Sequence, residues 1–390
     1  MLNRRQTLAG LSAAAVTGFG TRAEAQEVTK IGLILPMTGQ SASTGRQIEA
    51  AAKLYIAQKG ATVAGRRIEL LVRDDTGAAD ITRRIAQELI VNEKVAVLAG
   101  FGLTPLAFAA APLATQSKTP MVVMAAATSA ITEQSPFIVR TSFTLPQATQ
   151  PIADWASQNG IKKVISLVTD YAPGIDAERA FKERFTKAGG ELLAELRVPL
   201  RNPDFAPFLQ RVADAKPDAL FVFVPSGIGG QFVKQFIERG LDKAGVRLIG
   251  TGDVTDDDLL NDMGDAILGV VTSHHYSAAH PSPENKAFVQ AFRAANPNMR
   301  PNFMAIGGYD GMHLIYEALK KAGGAADGTA LLGAMQGMSW VSPRGPVTIE
   351  ARTRDITQNI YVRRVEKVDG QLYNVEFATF EAVPDPIKGR

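Results

Sequence analysis

Lys30-Ile31-Gly32-Leu33-Ile34-Leu35-Pro36 is a continuous apolar run halted by proline, and reading it as a strand buried on both faces decides the fold. Residues 45–59 follow, with Ile48, Ala51, Ala52 and Tyr55 at helical spacing. A strand over 68–72 runs into Asp74-Asp75, a helix over 81–91 follows, and a strand over 95–99 stops at Gly100. An alanine-rich helix over 106–116 and a buried strand over 121–124 extend the series. Short apolar runs alternating with helices are βαβ units, and such units build a parallel sheet.

The alternation restarts after Pro146. Helices are expected at 152–158, 175–188, 205–213 and 231–239, the second stopped by Gly189-Gly190 and the last by Gly240. Strands are expected at 164–168, 192–198, 219–224 and 246–250. The chain therefore reads as α/β with two doubly wound series meeting near 141–147. The remainder fits no simple two-part cut. It reads as a strand at 266–272, helices at 284–295, 303–321 and 329–335, and a β meander at 347–350, 360–368 and 372–377 around Asp369-Gly370. Such a meander suits an antiparallel addition to a sheet edge.

The N-terminus places Arg4-Arg5 before a mild apolar stretch and an Ala23-Glu24-Ala25 site. That pattern is a secretory leader over 1–25, and the paired arginines suggest twin-arginine export. Without it, 39 basic residues face 38 acidic ones, a balance that argues against a nucleic-acid binder. The remaining length exceeds one comfortable core and suggests two domains. The chain has no cysteine, which excludes disulfides, thiolate nucleophiles and acylation of a lipoprotein cysteine. A protein free in the periplasm is expected.

In open α/β sheets, ligands bind outside the carboxyl ends of the strands. Four such ends are rich in small and hydroxylated residues. They are 36–45 with Thr44, 100–105 with Gly102 and Thr104, 125–129 with Ala126 and Thr128, and 250–258 with Thr251 and Asp253. A helix start leaves unpaired amides that favour an anion, so Thr104 and Thr128 are the leading candidates for gripping a carboxylate. Both are equally readable as plain helix N-caps. Asp253 offers an acceptor to a ligand ammonium or hydroxyl, or else bonds its own turn. Asp256, Asp257 and Asp258 read as helix-terminus charges, with Thr255 as cap, and Asp74-Asp75 as a solvated strand end. Tyr171 could wall a cleft, and Tyr276 or His275 could touch ligand at a crossing between lobes. Adjacent His274 and His275 in an extended segment would face opposite sides, so no metal site is expected. No cofactor motif is present: Gly100-Phe101-Gly102 lacks a third glycine, and no phosphate-binding loop or nucleophile elbow occurs.

An ordered set of motifs resembles a known family. The set comprises Ile31–Gly39, Asp74-Asp75, the Gly100–Thr104 turn, Ala126-Ala127-Thr128, Asp170-Tyr171-Ala172-Pro173-Gly174 and Gly250–Asp253. Over 28–378 the chain is similar to the type I periplasmic solute-binding family of ABC importers, in its branched-chain amino-acid (leucine/isoleucine/valine) group. The resemblance implies two Rossmann-like lobes joined by three hinge crossovers. One lobe would comprise 28–143 plus 277–341, the other 146–272 plus 346–378, with a tail at 379–390. Hinges would lie near 141–145, 273–276 and 342–346. It also implies a carboxylate held by Thr104 and Thr128 with backbone help near Ala126, and an ammonium held by Asp253. Thr44, Pro173 and Ser226 stand where the group often has aromatics, and Asp253 replaces the usual glutamate. Thr44 and Ser226 remain candidate contacts, while the amino and side-chain ends depart from the pattern.

The expected function is capture of a small carboxylate, a branched-chain or other amino acid, by hinge closure and delivery to an ABC permease in the inner membrane. Aromatic or short-chain acids or amides are the alternative ligands. A monomer with no cofactor is expected. An enzyme acting on a small acid, or a sensing partner of a receptor, are readings from other classes.

Overall fold

The computed structural model describes residues 27–324 and 327–388. The leader expected over 1–25 lies outside the described residues.

The first half of the alternation forms as the apolar runs dictate. Its elements are β1 (Val28–Leu35), α1 (Ala42–Lys59), β2 (Thr62–Val63), β3 (Arg66–Asp74), α2 (Ala79–Val91), β4 (Val97–Gly100), α3 (Thr104–Ser117), β5 (Met121–Val123) and β6 (Ile138–Arg140). They make one sheet in the order β2-β3-β1-β4-β5-β6, parallel except for the short β2–β3 pair. β1 lies in the middle and its residues from Ile31 to Leu35 are buried, as its unbroken apolar run requires.

The second half holds α4 (Leu145–Gln158), β7 (Lys163–Thr169), α5 (Ala172–Lys187), β8 (Glu191–Val198), α6 (Ala206–Ala215), β9 (Ala219–Phe223), α7 (Gly229–Glu238), β10 (Arg247–Thr251) and β11 (Val271–His274). After β11 come α8 (Pro283–Ala295), α9 (Phe303–Lys321), α10 (Gly328–Met335), β12 (Ser339–Ser342), β13 (Gly345–Ile349), β14 (Ile356–Val368) and β15 (Gln371–Val383). The second sheet runs β12-β13-β14-β11-β10-β9-β7-β8, with β15 also on β14. Its β8 to β11 part is parallel, and the meander joins antiparallel at β11. Helices α8 and α9 return to pack on α1 of the first lobe, with α10 against α9. Two sheets with helices on their faces thus share a chain that passes between them three times.

Several local readings shift. α4 begins at Leu145, not near 152, because Thr144 and Gln147 form a reciprocal capping box and Pro146 sits in the first turn, where its missing N–H costs nothing. The strand expected over 266–272 is a 3-10 turn at Asp265–Ile267 followed by β11, with Gly269 at φ +82° breaking the run. β12 already pairs with β13 in the second sheet, so the boundary expected near 342–346 falls inside this hairpin. The tail expected from 379 is partly sheet: β15 runs to Val383, and Lys388 then reaches Asp355 at 2.6 Å.

The crossings are fastened by buried charge. The Arg344 guanidinium meets Asp310 of α9 at 2.6 Å and donates to the carbonyls of Thr141 and Ser142 and to Gln358. Arg140 likewise pairs with Asp355 at 2.7 Å and donates to the Ala126, Phe143 and Thr128 carbonyls. Both guanidiniums are fully buried, so their hydrogen bonds must replace lost hydration.

Candidate functional site

The carboxyl ends of both sheets face one another, and a narrow, partly open cavity lies between them. It is lined by Thr44, Gly102, Thr104, Ala126, Phe143 and Leu145 from one side and by Tyr171, Phe223, Ser226 and Asp253 from the other. Six of the eight residues proposed from sequence therefore meet in one place: Thr44, Thr104, Ala126, Tyr171, Ser226 and Asp253.

The first lobe supplies donors. Gly100 ends β4 at φ +106°, and a Cβ there would strike the Ile34 carbonyl, so only glycine lets β4 turn this closely over β1. Phe101 follows in the left-handed region at φ +66°, an uncommon conformation for a non-glycine residue. The chain then enters α3, whose N-cap is Leu103 with no side-chain cap, and Thr104 is the first helical residue. Thr104 is thus not a cap. Its hydroxyl is buried and meets no protein partner among the described residues. Pro105 has no N–H and the Leu106 amide donates to the Leu103 carbonyl at 3.1 Å, so the unpaired buried Thr104 hydroxyl at the positive end of the helix is the group an anion satisfies.

Ala126 contributes differently from expectation. Its amide donates to the Phe101 carbonyl at 3.0 Å, so that N–H is committed to the turn although the residue lines the cavity. Thr128 lies outside this lining: its hydroxyl donates to Asp176 of α5, and the Ser129 amide reaches the same oxygen at 3.1 Å. Tyr276 also lies outside it, fully buried, with its carbonyl accepting from Arg363.

The second lobe supplies the acceptor and an aromatic wall. Asp253 Oδ2 accepts from Thr251 at 2.9 Å and stands 3.4 Å from His274 Nε2. Tyr171 stacks on Phe223 with centroids 6.1 Å apart. Burial, reinforced by the charge of Asp253, holds the Tyr171 phenol well above its ordinary pKa of 10.0, so it is neutral. Burial also lowers His274 to about 4, and that histidine is neutral too. The two histidines do not face opposite sides. The chain leaves the strand after His274, and the rings sit 4.5 Å apart against Phe143.

Polar links flank the cavity. Asp256, expected at a helix end, is buried and accepts from Ser226 of its own lobe and Asn302 of the other. Burial raises its pKa to about 7. Asp258 accepts from the Arg300 amide at 3.0 Å, and Ser43 approaches it at 3.4 Å. With Thr128–Asp176, these bonds tie one lobe to the other on separate elements. Asp75 is likewise buried, not solvated, accepting from Thr82 at 2.9 Å. Sequence reading missed Phe143, Phe223 and Met304, which are apolar and carry no signal separating a cavity wall from core.

The sequence profile described as periplasmic binding protein matches residues 28–371. A Brucella melitensis protein named Leu/Ile/Val-binding protein homolog 6 is 45% identical over 382 residues, 96% of this chain and 97% of its own. A solved solute-binding protein of an ABC transporter from Rhodopseudomonas palustris BisB5, in complex with 3,4-dihydroxybenzoic acid, is 66% identical. It superposes with a TM-score of 0.91 over 93% of this chain and 99% of its own. Another from Rhodopseudomonas palustris HaA2, in complex with p-hydroxybenzoic acid, is 44% identical with a TM-score of 0.90 and covers the same shares.

Proposed function

The chain belongs to the periplasmic binding protein family, as a substrate-binding protein of the ABC-transporter kind, and on that footing we propose that its ligand is a small aromatic carboxylate. The ligand is captured between the two lobes outside the cytoplasm and delivered to a membrane permease. The observation that carries this reading is the cavity's division of labour. The unpaired Thr104 hydroxyl and the start of α3 stand at one side, and flat apolar rings, Phe143, Tyr171 and Phe223, form the walls. A carboxylate satisfies the Thr104 hydroxyl, and an aromatic ring suits a cavity walled by aromatic side chains. The solved relatives that hold benzoic-acid derivatives, one of them 66% identical, support the same ligand class.

Branched-chain amino acids are the second reading, supported by the name of the Brucella melitensis relative. The two are separated by a thermal-shift screen of benzoate, hydroxybenzoates, leucine, isoleucine, valine and short-chain acids. A bound ligand stabilises the folded protein by mass action, by about 2.7 kcal/mol at a hundredfold excess over its dissociation constant, and so raises the melting point. Aromatic acids are expected to raise it and leucine is not. A shift with leucine and none with the aromatic acids reverses the assignment. Turnover of any panel member would point to an enzyme instead.

A further inference from the structure

We propose that Asp253, backed by His274, selects ring-hydroxylated over unsubstituted aromatic acids by accepting the hydrogen bond of the ring hydroxyl; this rests on the aromatic-carboxylate reading above.

The turn after β10 fixes the carboxylate. Gly252 passes so close to the buried Arg363 guanidinium that a Cβ there would strike it, which leaves the following residue little freedom. Asp253 Oδ2 is occupied by Thr251 at 2.9 Å and faces His274 Nε2 at 3.4 Å. The hydrogen bond that Asp253 accepts from Thr251 falls on Oδ2, and the residue lines the cavity at 4% exposure. Oδ1 is left to accept from a ligand, and a hydrogen bond to a charged group favours a ligand that brings a donor. The ligand's own carboxylate cannot fill that role, because two like charges repel at such range. It is directed instead to Thr104, whose hydroxyl lacks a partner. The group arriving at Asp253 must therefore carry hydrogen. Phe143, Tyr171 and Phe223 line the same cavity as Thr104 and Asp253. A flat ring bearing a carboxylate and a separate hydroxyl suits that set of donor, apolar wall and acceptor. Unsubstituted benzoate leaves Asp253 Oδ1 bare. An α-amino acid carries its donor next to its carboxylate, with no ring between them. His274 acts as a positioning residue, its Nε2 standing 3.4 Å from Asp253 Oδ2.

Calorimetric titration of the full chain with benzoate, 3-hydroxybenzoate, 4-hydroxybenzoate and leucine tests this, on wild type, Asp253→Ala and His274→Gln, each checked for an intact melting transition. Wild type is expected to bind at least one hydroxybenzoate roughly tenfold to a hundredfold more tightly than benzoate, the range for hydrogen bonds to charged groups. Asp253→Ala collapses that ratio, because it weakens the hydroxybenzoates far more than benzoate. His274→Gln lowers the ratio partway, whereas a purely structural role would weaken both ligands alike. Equal wild-type binding of benzoate and the hydroxybenzoates overturns this inference and leaves the aromatic-carboxylate reading standing, as does an equal loss of both in Asp253→Ala. Binding of leucine with no aromatic acid overturns both. If one single variant fails to fold, the other variant and the wild-type ratio still decide.

Discussion

Thr104 carries the most weight of any single side chain, and its lack of a partner makes it unusually testable. Its hydroxyl contributes nothing to the protein's own hydrogen bonding, so Thr104→Val is expected to leave the unliganded melting point unchanged or slightly raised. The same change removes a hydrogen bond to a charged ligand, about 1.5–3 kcal/mol, and should weaken a bound carboxylate at least roughly tenfold in calorimetry. A lower melting point with unchanged affinity would make Thr104 structural. His275 allows a pH prediction. Burial, then the neighbouring His274, Arg344 and Arg363, hold its pKa well below the ordinary 6.5. The unfolded chain takes up that proton as pH falls below about 6.5 and the folded one does not, so stability is present above that pH and lost below it. His275→Leu should make the fall in melting temperature between pH 7 and pH 5 shallower than in wild type; an equal slope contradicts this. At this scale, the sequence pointed to Thr104 and Asp253, which both line the cavity, because small, hydroxylated strand ends are positional. Phe143 and Phe223 stayed hidden because burial, not chemistry, distinguishes a wall from core. Thr128 looked equivalent to Thr104 until α5 brought Asp176 against it, a pairing across 48 residues that no local pattern encodes.

Elements were the most legible level where apolar periodicity was strong and bounded by glycine or proline. β1, β4, β5, β7, β9 and β10 fall where short apolar runs predicted them, because a strand buried on both faces writes itself as such a run. The misreadings sit where a local device overrode the pattern. The capping box at Thr144 started α4 early, and Gly269 interrupted an otherwise strand-like stretch. Asp256, Asp257 and Asp258 looked like charges at a helix start because their partners, Asn302, Asn374 and Arg300, arrive from elements far along the chain. The crossings depend on Arg344, which joins α9, the 141–142 segment and β14. Removing it strands Asp310 as a buried charge, facing only Ser342 and Trp340. Arg344→Ala should therefore cost about 3–5 kcal/mol in urea unfolding. A loss under 1 kcal/mol would show that the crossings do not rely on this cluster.

For the whole molecule, two sheets present their strand tips to a shared cavity and are tied across it by polar bonds that an open form would give to water. Those bonds bias a two-state motion, in which a ligand favours whichever state it binds better. Asp176→Ala leaves the Thr128 hydroxyl and Ser129 amide unpaired in the closed form only, since an open form hydrates them. It should raise the radius of gyration of the unliganded protein in solution scattering and weaken ligand a fewfold to about tenfold, with saturating ligand restoring the compact profile. Identical profiles for variant and wild type would remove the latch. The central claim, that a carboxylate is gripped by the start of α3 while both lobes enclose its ring, is tested most directly by a crystal structure grown with 4-hydroxybenzoate. The account predicts the carboxylate within hydrogen-bonding distance of Thr104 Oγ1 and the ring between Phe143, Tyr171 and Phe223. Density for the ligand elsewhere, or with its carboxylate turned toward Asp253, would contradict it.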